Sequence, residues 1–195
     1  VGVPLLKEWN FNRYKKLESK LDTENGYVFD NFNNVLEYGY GYTANPKALR
    51  VSLSDNLNSA GTEPASKSHS PIIGFAYDGN PIYGAFGYEN PLDSTSSIIR
   101  MTSSYSINGT RREGPSITKY PLGSFNNDYT YTHKSGTLDE NNGRFCITPE
   151  FPKGTYAYFI TIDSNQVPQY PYILGENFYS LPVDSNYNSS INQDD

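Results

Sequence analysis

Apolar and polar positions alternate with a period of two along much of the chain, which predicts strands rather than helices. In Val35–Tyr42, Tyr38, Tyr40 and Tyr42 alternate with Gly39 and Gly41. That pattern puts three rings on one face of a strand and bare backbone on the other. Tyr27–Phe29 predicts a further short strand. Ile72–Tyr77 predicts a strand, Asp78-Gly79-Asn80-Pro81 a tight turn, and Ile82–Gly84 the returning partner. Tyr129–Thr132 alternates rings with hydroxyls, and Phe145–Ile147 is short and apolar. Thr155–Ile162 (TYAYFITI) is the strongest strand pattern, with β-branched and aromatic residues throughout.

Helical spacing is confined to two places. Tyr14, Leu17 and Leu21 fall on one face of a helix over Asn12–Asp22, with Lys15, Lys16, Glu18 and Lys20 on the others. Asn45-Pro46 opens a second, short helix with Asn as N-cap and Pro at the first helical position. Leu49 and Leu53 share a face of it, and it should end near Asp55-Asn56. Asn56–Ser70 is a polar loop, and Asn90–Tyr120 predicts long loops with short strands. The division is therefore one domain over 1–182 and a polar tail or linker over 183–195.

Composition narrows the class. The chain has 195 residues, 36% hydrophobic and 18% charged, with 18 Tyr, 10 Phe and 21 Asn. Aromatics at that level argue against disorder, and the length suits one domain with a real core. No run of 18 apolar residues is present to make a membrane-spanning helix. Val1-Gly-Val-Pro4 lacks a signal-peptide pattern and an initiator Met, so the sequence reads as a processed chain or a piece of a longer one. A net charge of −6 argues against nucleic acid as partner. The one cysteine, Cys146, cannot form an internal disulfide. These features predict a mainly β, single-domain, sandwich-like architecture with one or two short helices and long loops.

Candidate chemistry is sparse. His69 and His133 are the only histidines. A transition-metal site needs more ligands than that, unless His69 meets Asp78, Glu140 or Glu150. The simpler reading is that His69 bonds backbone and orders the loop before Pro71. His133 sits in a polar loop and is expected to be solvated. Asp139–Gly143 lacks calcium-loop spacing and predicts a turn held by Asx hydrogen bonds. Arg144 beside Asp139 and Glu140 suggests a buried ion pair. There is no Gly-x-Ser-x-Gly elbow, and Cys146 lies in an apolar strand where a thiol is inert. Asp78, Glu140 and Glu150 are the acids eligible for paired-carboxylate chemistry. Most rings are expected in the core, leaving loop tyrosines (Tyr105, Tyr120, Tyr129 and Tyr187) for recognition. The candidate binding residues are thus His69, Asp78, Glu140, Arg144 and Glu150, with no catalytic set, no metal and no cofactor expected.

Two long motifs carry a resemblance. His69-Ser-Pro-Ile-Ile-Gly-Phe-Ala-Tyr-Asp-Gly-Asn-Pro-Ile-Tyr-Gly84, followed by Phe86-Gly-Tyr88, resembles the central signature of the YHYH domain family. Leu138-Asp-Glu-Asn-Asn-Gly-Arg-Phe-Cys-Ile-Thr-Pro-Glu-Phe-Pro-Lys-Gly-Thr-Tyr-Ala-Tyr-Phe159 is similar to the second, and Tyr170–Gly175 to the closing segment. The name-giving Tyr-His-Tyr-His stretch matches Tyr40-Gly41-Tyr42-Thr43, where both tyrosines remain and Gly41 and Thr43 replace the histidines. The resemblance implies either secreted or periplasmic bacterial proteins or virion proteins of phages, including cyanophages. It points to a non-enzymatic structural module of a virion that packs against other virion proteins or copies of itself, or displays loops. The alternatives are a module binding host surface glycan, and a metal-binding periplasmic or secreted protein. No membrane insertion is expected.

Overall fold

A computed structural model describes residues 9–30, 38–111 and 113–181. The predicted tail over 183–195, Tyr187, Val1–Pro4 and the start of the Val35–Tyr42 segment lie outside the described residues. Among the described residues are two helices: α1 (Arg13–Leu17), continued by a 3-10 turn over Glu18–Lys20, and α2 (Lys47–Ser52). The strands are β1 (Gly26–Asp30), β2 (Tyr38–Tyr42), β3 (Ile72–Phe75), β4 (Pro81–Tyr83), β5 (Phe86–Tyr88), β6 (Ile98–Arg100), β7 (Tyr105–Ile107), β8 (Tyr129–Tyr131), β9 (Gly143–Cys146) and β10 (Thr155–Phe159). The expected mainly β class, with short helices and long loops, is what the structure shows.

Among the described residues the strands divide among four small sheets. β3-β4-β10-β9 form the largest, and β1–β2, β5–β6 and β7–β8 are two-stranded ribbons. β10 runs parallel to β4, with Phe159 opposite Tyr83, and antiparallel to β9, with Ala157 opposite Arg144. Alternation along β10 sends its side chains to two different cores. Ala157 and Phe159 join Tyr83, Cys146, Met101 and Leu138 on one face. Tyr156 and Tyr158 join Ala76 on the other, covered by Leu174 and Phe178. Fully burying each large side chain is worth roughly 1.5–3 kcal/mol, so the TYAYFITI segment anchors the molecule.

Helix α2 inverts the expected pattern. Its buried residue is Arg50, while Leu53 is 40% exposed. Arg50 Nε donates to Asp55 at 2.6 Å, and its NH1 donates to Asn45 Oδ1 at 2.9 Å and to Gln166 Oε1 at 2.7 Å. A charge surrounded by this many acceptors can be buried. Asn45 therefore does not cap the helix. Pro46 takes that position without a side-chain bond, and the Asn45 amide serves the buried network instead.

The tyrosine stripe of β2 is also less buried than a core role requires. Tyr40 is 51% exposed and Tyr42 38%. The two rings pack edge-on at 5.4 Å, and the Tyr40 hydroxyl donates to Asp22 at 2.6 Å. The tyrosines expected in loops behave oppositely, and two of them, Tyr105 and Tyr129, lie in strands β7 and β8. Tyr129 stacks on Tyr170 at 4.0 Å, Tyr105 packs against the same ring, and Tyr120 against Phe11 and Phe125. They serve as packing, which removes them as free recognition rings.

Candidate functional site

The two signature segments meet on one face of the four-stranded sheet. Tyr83 on β4 and Phe159 on β10 are register partners, and their rings stack at 5.5 Å. His69, just before β3, meets the edge of this pair: its ring lies 5.1 Å from Tyr83 and 4.9 Å from Tyr88. His69 Nδ1 is 2.8 Å from the Ser70 carbonyl oxygen. A carbonyl only accepts, so Nδ1 carries the proton and Nε2 presents its lone pair. Nε2 is buried and has no hydrogen-bond partner. Burial pulls the His69 pKa below its usual value, against the Ser70 hydrogen bond and the Glu150 charge. The imidazole is accordingly neutral near pH 7.

Arg144 reaches the same face from β9. Its guanidinium lies 5.5 Å over Phe159, and NH2 donates to the Tyr88 carbonyl at 2.5 Å. Nε is buried without a partner, and burial lowers the pKa of the group. The Tyr83 hydroxyl lies 2.8 Å from Thr148 Oγ1 and donates to Glu150 at 2.9 Å, so the carboxylate of an exposed residue is held at the rim. Burial pushes the Tyr83 hydroxyl well above the usual phenol range. Burial likewise pushes the Cys146 thiol up, against the nearby Arg144 charge. A fully buried protonated thiol is a packing group rather than a nucleophile. What the arrangement offers is one lone pair, one cation and one rim carboxylate. None of these is paired as a base with a nucleophile.

Three of the five candidate residues, His69, Arg144 and Glu150, thus gather around Tyr83 and Phe159. The other two do not join them. Asp78, in the β3–β4 turn, accepts from Tyr158 Oη at 2.7 Å, Asn80 Nδ2 at 2.8 Å and the Ser180 amide at 3.1 Å. Burial pushes its pKa up, but these hydrogen bonds outweigh it and hold the carboxyl below the usual range. Glu140 accepts the Tyr105 hydroxyl on its backbone carbonyl at 2.9 Å. The expected pairing of Arg144 with Asp139 or Glu140 is absent. Strand alternation puts Arg144 on the Phe159 side, whereas Asp139 accepts from Tyr156 Oη, which points to the opposite face. Asp139 also takes the Asn141 and Gly143 amides, the Asx turn its sequence predicts. His133 is exposed, with Nδ1 3.3 Å from the Tyr131 hydroxyl. Among the described residues, no three His, Cys, Asp or Glu side chains converge to hold a metal ion.

Sequence reading missed the support beneath His69. Ser70 Oγ donates to Asp55 Oδ1 and accepts the Phe86 amide at 3.0 Å. The residue after His69 is therefore clamped to the Arg50–Asp55 pair, which is fully buried. A Gln166–Glu63 contact and a bidentate Arg100–Glu63 bridge, both arms 2.7 Å, carry the network outward. Arg50 lies in α2 and Asp55 beyond its C-terminal end, and no spacing rule marks such a pair as buried.

A family model described as YHYH protein matches residues 6–171. No curated protein and no solved structure matches the chain.

Proposed function

Because the chain belongs to the YHYH protein family, we propose that it is a non-catalytic structural module of a phage virion. It would pack against neighbouring chains on the tail or another exposed assembly. The observation that carries this reading is an uncovered aromatic surface at the four-stranded sheet. Tyr179 (55% exposed) stacks on Tyr156 at 3.7 Å, and Phe145 (55%) is the register partner of Tyr156. Tyr77 (69%) lies beside Phe178, which packs on that same face. Exposed aromatics gathered in one place are a mark of interaction surfaces. The virion as the assembly is taken from the resemblance of the two signature segments alone. The inert burial of Cys146 and the absence of a base paired with it favour packing over chemistry.

Mass spectrometry of purified particles tests the proposal. The parent polypeptide is expected at structural copy number in the particles. Its absence there, together with recovery as a free secreted protein, overturns the reading.

A further inference from the structure

A cleft of about 340 Å³ opens between α1, the β1–β2 ribbon and the Tyr170–Glu176 corner. That is within the range of small-molecule sites, roughly 300–1,000 Å³. Tyrosines dominate its walls: Tyr14, Tyr27, Tyr42, Tyr170 and Tyr172. Tyr172 has φ +75°, a left-handed backbone that is strained for a bulky residue. Its neighbours hold it there. Its ring lies 4.7 Å from Tyr14, and its hydroxyl accepts from the buried Asn12 Nδ2 at 2.7 Å. Asn12 in turn caps α1, accepting the Lys15 amide. Across the cleft, Arg13 donates to the Tyr27 hydroxyl at 3.1 Å, and Tyr27 is the register partner of Gly41. The walls are therefore fixed from both sides, and backbone strain is retained at one of them.

The lining decides the class of ligand. Arg13 and Glu176 are its charged residues, one of each sign, so the cleft has no basic cluster for a phosphate or acidic group. Tyr42, with the half-buried Tyr14 and Tyr27, offers ring area over a floor of buried Tyr170 and Tyr172, while Thr43 and Asn126 add neutral hydrogen-bonding groups beside them. A pyranose ring has the same two-sided character, with C–H faces and hydroxyl edges. We infer that this cleft binds a neutral saccharide, a pyranose stacking on the tyrosine walls with its hydroxyls toward Thr43, Asn126 and Glu176. The inference is independent of the assembly reading above, and a chain absent from virions would leave it standing.

Saturation-transfer NMR with methyl glycosides of glucose, galactose, mannose and N-acetylglucosamine tests it on the full chain. At least one glycoside is expected to bind. Tyr42→Ala, at the exposed mouth, should weaken binding at least tenfold, whereas Tyr179→Ala, on the sheet surface, leaves it unchanged. Thermal melts establish that each variant is folded. Should Tyr42→Ala fail to fold, Glu176→Gln on the exposed rim replaces it, with the same expected loss. Silence from all four glycosides with folded wild-type chain overturns the inference. So does undiminished binding by the folded cleft variant.

Discussion

A β-carbon on Gly84 would stand 2.0 Å from Asp55 Oδ2 and 2.8 Å from Ser70 Oγ. The turn leaving β4 is thus threaded against the buried Arg50–Asp55 pair, and only glycine leaves the carboxylate its room. Gly84→Ala should destabilise the chain by about 3 kcal/mol, at the upper end of overpacking costs. Gly74→Ala, whose β-carbon meets nothing within 4 Å, should be neutral or slightly stabilising. Urea denaturation of both variants checks the contrast, and equal midpoints would refute the assignment.

Arg50 is the second test of the same network. Arg50→Ala leaves the Asp55 carboxylate buried without its cation. The expected loss is about 3–5 kcal/mol, the usual penalty for breaking one side of a buried pair. Removing exposed Lys15 from its pair with Glu18 should cost under about 1 kcal/mol. Chemical denaturation of the two variants separates a buried pair from a surface one.

The low pKa of His69 gives a pH dependence with a definite sign. Burial pulls it below 6.5, so the unfolded chain binds the proton more readily than the folded one. Stability from this group is complete above about pH 6.5 and falls as pH drops toward the folded pKa. Denaturation midpoints at pH 8, 6.5 and 5 should decline in the wild type. The decline should shrink in His69→Gln. Asp139, whose carboxyl burial pushes up, acts with the opposite sign in more acid solution. An identical decline in the His69 variant would remove His69 as its source.

Cys146 should be unreactive until the fold opens. Its side chain is fully buried, and burial raises its pKa. Alkylation by iodoacetamide in native buffer should run at less than about one-thousandth of the rate in denaturant, since the open population of a stable domain is of that order. Rapid labelling in native buffer would show an accessible thiol instead.

The strand signals in the sequence were local, and they held in place though not in length. The strand expected over Ile72–Tyr77 ends at Phe75, that over Thr155–Ile162 ends at Phe159, and Pro81, expected in the turn, opens β4, while the Tyr129 strand lies where period two put it. The helix over Asn12–Asp22 shortens to Arg13–Leu17 plus a 3-10 turn, because Tyr14 is its main anchor, packed on Tyr172 from the far end of the domain. Reading α2 by hydrophobic spacing failed for a related reason. Its core-facing residue is an arginine whose Nε and Nη1 donate to Asp55, Asn45 and Gln166, and one of those partners is 116 residues away. The candidate site was legible by half. His69, Arg144 and Glu150 meet only because β4 and β10 pair in parallel, a contact no local pattern specifies. Asp78 looked chemical and is a latch for Tyr158 and Ser180.

The sheet order carries a consequence for how the chain is made. β10, the last strand among the described residues, lies in the interior of its sheet, between β4 and β9. During synthesis, the hairpin of β3 and β4 must therefore wait for a strand emerging some seventy residues later before its inner edge is filled. Until then the ribosome holds a half-built sheet with an open edge and unburied tyrosines. Such non-local closure is slow and exposed to misassembly. A nascent chain halted after Glu150 would lack the strand around which both cores form.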